Sequence, residues 1–275
     1  MAQQTAKVVI VVQARMSSTR LPGKVLLPIL GKSLLQRMVE RLQMIRHEAT
    51  IVIATSDHEQ DTIIETEANL IGVPCFRGSL DNCLDRHYQA ALKYHADVVI
   101  KIPSDCPLID PRIIDEVLGY YFEHEGQYDF VNNLHPATWP DGNDVEIMTM
   151  ACIERAWKEA TRKLELEHTT PYIWENPDKF RIANISWSVG KDYSMSHRFT
   201  IDYPEDYLFI KRVYEELYPQ RADFSCDDIL NLLEQKPEIY QINSGYAGVN
   251  WYRNHLDELK TVGAQQTKSL SNQQV

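Results

Sequence analysis

Residues 13–24, Gln13-Ala14-Arg15-Met16-Ser17-Ser18-Thr19-Arg20-Leu21-Pro22-Gly23-Lys24, crowd three cations and three hydroxyl side chains into one short stretch. Small residues such as Ala14, Ser17 and Ser18 let backbone N–H groups approach phosphate oxygens. Arg15, Arg20 and Lys24 carry the charge to neutralise a polyphosphate. The competing reading is an exposed basic loop with no ligand. Position favours the ligand: the stretch directly follows Val8 to Val12, a β-branched run read as a strand buried on both faces. In doubly wound sheets, ligands bind beyond the carboxyl ends of strands. The loop is neither G-x-x-x-x-G-K-[ST] nor G-x-G-x-x-G.

Two further stretches supply carboxylates. Lys101-Ile102-Pro103-Ser104-Asp105-Cys106-Pro107-Leu108-Ile109-Asp110 ends another strand-like run. Asp105 there points toward the same crevice and could hold Mg²⁺ against a polyphosphate, or could start a turn. Asp110 reads as a helix cap. In His197-Arg198-Phe199-Thr200-Ile201-Asp202-Tyr203-Pro204-Glu205-Asp206-Tyr207, Glu205 and Asp206 suit a helix N-terminus. That leaves Asp202 as the candidate second metal carboxylate. No G-x-S-x-G elbow or Cys–His pair suggests a covalent nucleophile.

The elements that must position these residues are legible to about residue 125. Strands are expected at Val8–Val12, Thr50–Ala54, Val73–Phe76 and Asp97–Ile102. Helices carry Leu34, Leu35, Met38, Leu42 and Ile45; then Ile63, Ile64, Ala68 and Ile71; then Leu84, Tyr88, Ala91 and Leu92. Ser33 with Gln36, Gly72, and Asp110-Pro111 mark helix ends. The alternation predicts an α/β fold with a mostly parallel sheet flanked by helices. Later, strands are expected at 128–132, 145–149, 180–186 and 198–201. Helices are expected near 150–161, 166–175, 204–217 and 226–234. Residues 263–275, rich in Gln, Ser and Asn, read as a disordered tail.

Charge is uneven. The net charge is −11, yet residues 1–47 hold eight Lys/Arg against Glu40 alone. A general nucleic-acid or membrane-surface binder is disfavoured. Arg37, Arg41 and Arg46 read as a solvated basic helix face, which leaves Arg15, Arg20 and Lys24 for a small anion. The five cysteines are scattered without a C-x-x-C pair, and no run is long and apolar enough to span a membrane. With no signal-peptide pattern at Met1–Lys7, a cytoplasmic protein is expected.

Together, A-R-M-x-S-T-R-L-P-G-K, D-C-P-L-I-D and F-T-I-D-x-P-E-D-Y make the chain resemble the SpsF-like cytidylyltransferases, relatives of the CMP-KDO and CMP-sialic acid synthetases. The likeness extends to Phe76-Arg77-Gly78-Ser79, Leu84-Asp85-Arg86, Pro140-Asp141-Gly142-Asn143-Asp144-Val145-Glu146 and Glu167-His168-Thr169-Thr170-Pro171-Tyr172. It implies a Rossmann-like GT-A nucleotide-diphospho-sugar transferase fold over residues 1–262. Residues 7–125 would be the nucleotide-binding half, and 126–215 the acceptor and dimerisation region that also carries the second metal carboxylate. Arg15 and Lys24 match triphosphate-binding, catalytic positions, and Asp105 and Asp202 match the Mg²⁺ carboxylates. Thr55, Ser56 and Ser79 fall where the family surrounds base and ribose. Asp144, Glu146 and His168 fall in its acceptor region, although each also has a structural reading.

The resemblance implies CTP and a sugar-acid acceptor as partners, transfer of CMP with release of pyrophosphate, and a possible homodimer. Trp139, Trp157, Trp174 and Trp187 suit either an interface or a core. Ser17 stands where the family usually has Gly, Pro103-Ser104 replaces Thr-Gly, and Lys101 replaces Arg. A glycosyltransferase of the same fold would be expected to carry an Asp-x-Asp motif, which this chain lacks. A non-catalytic nucleotide-binding protein is the other alternative.

Overall fold

The computed structural model describes residues 6–269. The buried run β1 (Val8–Gln13) leads through a short ribbon, β2 (Pro28–Ile29) and β3 (Lys32–Ser33), into α1 (Leu34–Leu42). The alternation continues as β4 (Thr50–Ser56), α2 (Thr62–Ile71), β5 (Cys75–Gly78), α3 (Cys83–Lys93), β6 (Val98–Pro103) and α4 (Pro111–Glu123). Then come β7 (Phe130–Asn132), β8 (Glu146–Thr149), α5 (Met150–Glu159), α6 (Lys163–His168), α7 (Pro171–Trp174) and β9 (Ile182–Asn184). Three helices follow: α8 (Pro204–Leu217), α9 (Cys226–Gln235) and α10 (Pro237–Tyr240).

The main sheet has the order β5-β4-β1-β6-β8-β7-β9. It is parallel from β5 through β6, while β8 runs antiparallel to both β6 and β7. The chain steps outward from β1 to β4 and β5, then crosses back to place β6 on the other side of β1. That reversal opens a crevice between the carboxyl ends of β1 and β6, where Gln13 pairs with Pro103. Strand alternation splits the core: Val8, Ile10 and Val12 pack with Leu34, Ile114 and Phe209 on one face. Val9 and Val11 pack with Leu84, Ile153 and Leu164 on the other.

The expected helix ends are present. Ser33 Oγ accepts from Gln36 N at 3.0 Å, Asp110 Oδ1 accepts from Arg112 N at 3.0 Å, and Gly72 closes α2 at φ 83°. Other expectations need correction. Arg37 and Arg41 are not a solvated face; they are 3% and 2% exposed. They share the helix side of Leu34 and Met38, and their guanidinium groups donate to the carbonyls of Ile29, Leu30, Ile109 and Phe224. The helix expected at 166–175 is two short helices, broken at Thr169, whose φ is 75°. Residues 198–201 add no strand to the sheet. They make one bridge, Asp141 to Arg198, and Ile201 N donates to Asp105 O at 2.9 Å.

Residues 263–269 are not a disordered tail: Ala264–Gln266 form a 3-10 turn, Thr267 is buried and Lys268 N donates to Gly248 O at 2.7 Å. The polar composition misled because its hydrogen-bond partners lie in a distant loop. Residues 270–275 lie outside the described residues. Trp139 and Trp174 are buried, and Trp157 stacks on Tyr88 at 4.5 Å, so the mid-chain aromatic enrichment goes largely into packing. Among the described residues, no helix is long and apolar enough to cross a membrane.

Candidate active site

A cleft of about 570 Å³ opens at the carboxyl ends of β1 and β6. Its first wall is the loop after β1. Met16 N donates to Asp61 Oδ1 at 2.8 Å, and Met16 O accepts from Ser18 N at 2.9 Å and Gly23 N at 3.0 Å, which folds the loop back on itself. Gly23 has φ 69°, a conformation that favours glycine, and it turns Lys24 inward. Ser17 does not adopt positive φ, so a side chain at this position costs no backbone strain. Arg15, Ser17, Ser18, Arg20 and Lys24 all line the cleft. Among the described residues, Arg15 is the only lining Arg or Lys without a carboxylate at ion-pair distance.

The carboxylates converge on Lys24. Its Nζ lies 2.6 Å from Ile201 O, 2.9 Å from Asp202 Oδ1 and 3.3 Å from Asp105 Oδ2. Arg20 Nη2 reaches Asp202 Oδ1 at 2.7 Å. Arg198, which sequence reading passed over, is the buried hub. It donates to Asp202 Oδ2 at 2.9 Å, Asp206 Oδ1 at 3.0 Å and Asp141 Oδ2 at 3.0 Å. Asp206 caps α8 by accepting from Asp202 N at 2.8 Å and Tyr203 N at 3.0 Å, and so fixes the direction of Asp202. Burial alone would push the Asp202 carboxyl up, but Lys24, Arg198 and Arg20 outweigh it and hold the group below its ordinary range. Burial likewise opposes the Lys24 charge, and Asp105 and Asp202 reverse that, raising its pKa.

Asp105 and Asp202 thus bring two hard oxygen donors around one cationic centre, which suits Mg²⁺. Among the described residues, no group of three or more metal-ligating side chains converges. An ion here would take its remaining ligands from substrate oxygens and water.

The second wall comes from later parts of the chain. Glu146 on β8 faces Lys101 on β6 and pairs with it. Asp144 accepts from Gly142 N at 3.2 Å; burial, then Asp141 and Asp105, push its carboxyl up to about 8. Gly142 has φ 105°, and a Cβ there would stand 2.7 Å from Phe199 C, so only glycine lets the two segments cross. His168 stacks on Trp251 at 3.8 Å; burial, with Lys101, His255 and Arg15 nearby, lowers its pKa to about 3. His135 lies 4.4 Å from Trp174 and is lowered to about 4, chiefly by burial. Tyr252, Gln265 and Gln266 complete this wall. Nothing in their spacing signalled them, and the two glutamines fell in the presumed tail.

Four expected nucleotide contacts do not line the cleft. The Ala14 N–H is committed to Ala54 O at 3.0 Å. Thr55 is fully buried, Ser56 Oγ pairs with Asp61, and Ser79 Oγ accepts from Asn82 N at 3.2 Å. The hydroxyls of Ser56 and Ser79 hold loops together, because the turns that end β4 and β5 need local acceptors and donors.

A basic loop and paired carboxylates at the switch point of a doubly wound sheet are the parts of a nucleotidyltransferase. Residues 9–242 match the family model described as Cytidylyltransferase, and the chain belongs to that family. It is 31% identical over 236 residues to the spore coat polysaccharide biosynthesis protein SpsF of Bacillus subtilis, covering 84% of this chain and 95% of the relative. The solved structure of a cytidylyltransferase from Leptospira borgpetersenii superposes with TM-score 0.81 at 34% identity, covering 86% of this chain and 97% of that one. A CMP:2-keto-3-deoxy-manno-octonic acid synthetase complexed with CTP shares the fold, with TM-score 0.59 at 18% identity over 77% and 99%.

Proposed function

We propose that the protein transfers CMP from CTP to an acidic, nonulosonate-like sugar with release of pyrophosphate, in a Mg²⁺-dependent reaction serving surface polysaccharide biosynthesis. The observation that carries this reading is the convergence of the 15–24 loop, Asp105 and Asp202 in one cleft. SpsF supports the polysaccharide setting by its name, and the CTP-bound synthetase supports the nucleotide through a shared fold.

In this reaction the acceptor oxygen attacks the α-phosphorus in line, a P–O bond forms, and the bond to the bridging oxygen breaks as pyrophosphate leaves. Such a displacement needs positioning and charge neutralisation rather than a covalent nucleophile. Arg15, with no carboxylate at ion-pair distance among the described residues, takes a phosphate oxygen, and Arg20, which lines the same cleft beside Asp202, does the same. Asp105 and Asp202 would hold Mg²⁺, which when bound neutralises phosphate charge and polarises the reacting oxygens. Arg198 and Asp206 keep Asp202 aimed. His168, neutral above pH ~4, offers the acceptor a hydrogen-bonding group without a charge.

The test is thermal stability with CTP, UTP, GTP and ATP in turn, each with and without Mg²⁺. Pyrophosphate release with CTP and 3-deoxy-octulosonate or nonulosonate sugars follows. A ligand at a hundredfold its dissociation constant adds about 2.7 kcal/mol. CTP alone should shift the midpoint, more so with Mg²⁺. A shift with another nucleotide instead would replace the base, and no shift with any triphosphate would overturn the site.

A further inference from the structure

We infer that Lys24 is a resident counter-ion: in the nucleotide-free protein its ammonium occupies the place between Asp105 and Asp202, so a divalent cation enters there only together with the triphosphate that draws Lys24 away. The inference rests on the reading of Asp105 and Asp202 as metal carboxylates.

A lysine ammonium has three N–H donors. Here Ile201 O, Asp202 Oδ1 and Asp105 Oδ2 take all three, at 2.6, 2.9 and 3.3 Å. No donor is left over for a phosphate, although the loop around Lys24 is otherwise built for one. Asp202 is committed on both oxygens. Its Oδ1 accepts from Arg20 and Lys24 and its Oδ2 from Arg198. The Lys24 and Asp202 side chains are only 11% and 12% exposed, so water screens this contact weakly.

Charge counting points the same way. Asp105, Asp141, Asp202 and Asp206 meet Lys24, Arg20 and Arg198, which leaves the cluster at −1. A bare divalent ion would turn that to +1 and place itself against an ammonium in a half-buried site, an unfavourable exchange. A triphosphate supplies the missing negative charge and gives Lys24 a new set of oxygens. Its long, flexible stem allows the move from a fixed backbone, which the hydrogen bonds from Gly23 N to Met16 O and from Lys24 N to Leu21 O hold in place.

The consequence is an order of binding set by the protein: nucleotide and metal together, never metal first. It also gives Lys24 a positioning role before its role toward phosphate, since the ammonium keeps two like-charged carboxylates converged in the absence of metal.

The test uses Mn²⁺ alone, followed by electron paramagnetic resonance, on wild type, Lys24→Gln and the double variant Lys24→Gln/Asp202→Asn. Removing the resident charge should tighten Mn²⁺ binding without nucleotide by roughly tenfold or more, and the double variant should lose that gain. Water-proton relaxation with CTP present then separates two failures. If wild type forms a protein–Mn²⁺–CTP complex but Lys24→Gln gains no affinity for Mn²⁺ alone, the counter-ion role is overturned and the metal site stands. If no ternary complex forms, the metal reading itself falls and takes this inference with it.

Should Lys24→Gln fail to fold, the wild type still decides. The Lys24 Nζ signal in ¹⁵N NMR should be slowly exchanging without nucleotide and shift when CTP and Mg²⁺ are added together, but not with Mg²⁺ alone. A signal unmoved by CTP and Mg²⁺, or moved fully by Mg²⁺ alone, overturns the proposal.

Discussion

The two walls of the cleft are built in opposite ways. The loop wall is contiguous in sequence, carries the charge, and is tied to the parallel half of the sheet by β1 and β6. The late-chain wall gathers β8, the end of α6, and residues 250–252 and 265–266, which lie beyond the family-matched stretch of 9–242. Its chemistry is aromatic and nearly neutral: His168 on Trp251, His135 on Trp174, and Lys101 cancelled by Glu146. A displacement at phosphorus needs one unvarying set of charges, which a short loop between fixed strands can provide. Choosing among acceptors needs shape and hydrogen-bonding pattern, which distant segments can assemble.

Changes on the loop wall should therefore cost turnover, and changes on the late wall should cost acceptor affinity. The largest expected effect is Asp202→Asn, which should lower kcat by roughly 10³-fold with a native far-UV circular dichroism spectrum. Near-wild-type turnover at saturating Mg²⁺ would remove Asp202 from the metal role. Next comes Arg15→Ala. It should lower kcat/KM for CTP by about 10²-fold and shrink the CTP-induced thermal shift, without altering unliganded stability.

Trp251→Ala tests the other wall. An acceptor KM raised about tenfold, or ~1.4 kcal/mol, with kcat and the CTP shift unchanged, is expected. A loss of CTP binding in that variant would break the comparison, because it would place the nucleotide on both walls.

The smallest effect is on stability against pH. The folded Asp144 carboxyl is raised to about 8, above its unfolded range. Its contribution is therefore fully present at low pH and is lost as pH rises from about 4 through 8. His168 works in the opposite direction. Its pKa is lowered to about 3, so stability present above the unfolded value near 6.5 is lost as pH falls. Asp144→Asn should raise the melting midpoint more at pH 8 than at pH 5. His168→Gln should flatten the decline below pH 6.5. Parallel profiles for variants and wild type would show that neither group carries the assigned shift.

How much of this was legible follows from the same contrast. The strand-helix alternation to residue 125 and the caps at Ser33, Gly72 and Asp110 are local patterns, and they appear where expected. The 15–24 loop and Asp105 announced themselves by residue type next to strand ends, and Asp202 by its place after an expected strand that the fold does not contain. Arg198 did not, because its partners stand at 141, 202 and 206, and only folding gathers them. Arg37 and Arg41 looked solvated because charge was weighed above helical phase. The insertion of β8 antiparallel between β6 and β7 is a matter of adjacency, which periodicity does not encode. Gln265 and Gln266 were lost to composition, since a polar stretch looks the same whether its hydrogen bonds go to water or to a loop, and Trp251 was missed because its partner His168 stands far off in the chain.

The late segment that borders the cleft is fastened by two buried side chains, Leu259 and Val262, and by a set of long-range hydrogen bonds. Glu175 alone receives Lys260 N at 2.8 Å, Thr261 N at 2.9 Å and Thr261 Oγ1 at 2.6 Å, while Arg162 holds Glu258 O at 2.8 Å. Arg198 holds Val249 O at 3.1 Å and Lys268 Nζ donates to Met195 O at 2.9 Å, so the segment is tied near both ends as well as in the middle. A graft of residues 249–269 from a relative therefore has to keep the positions of Glu175, Arg162 and Arg198 and the room for Leu259 and Val262, and the acceptor KM of such a graft would measure whether this segment takes part in acceptor choice.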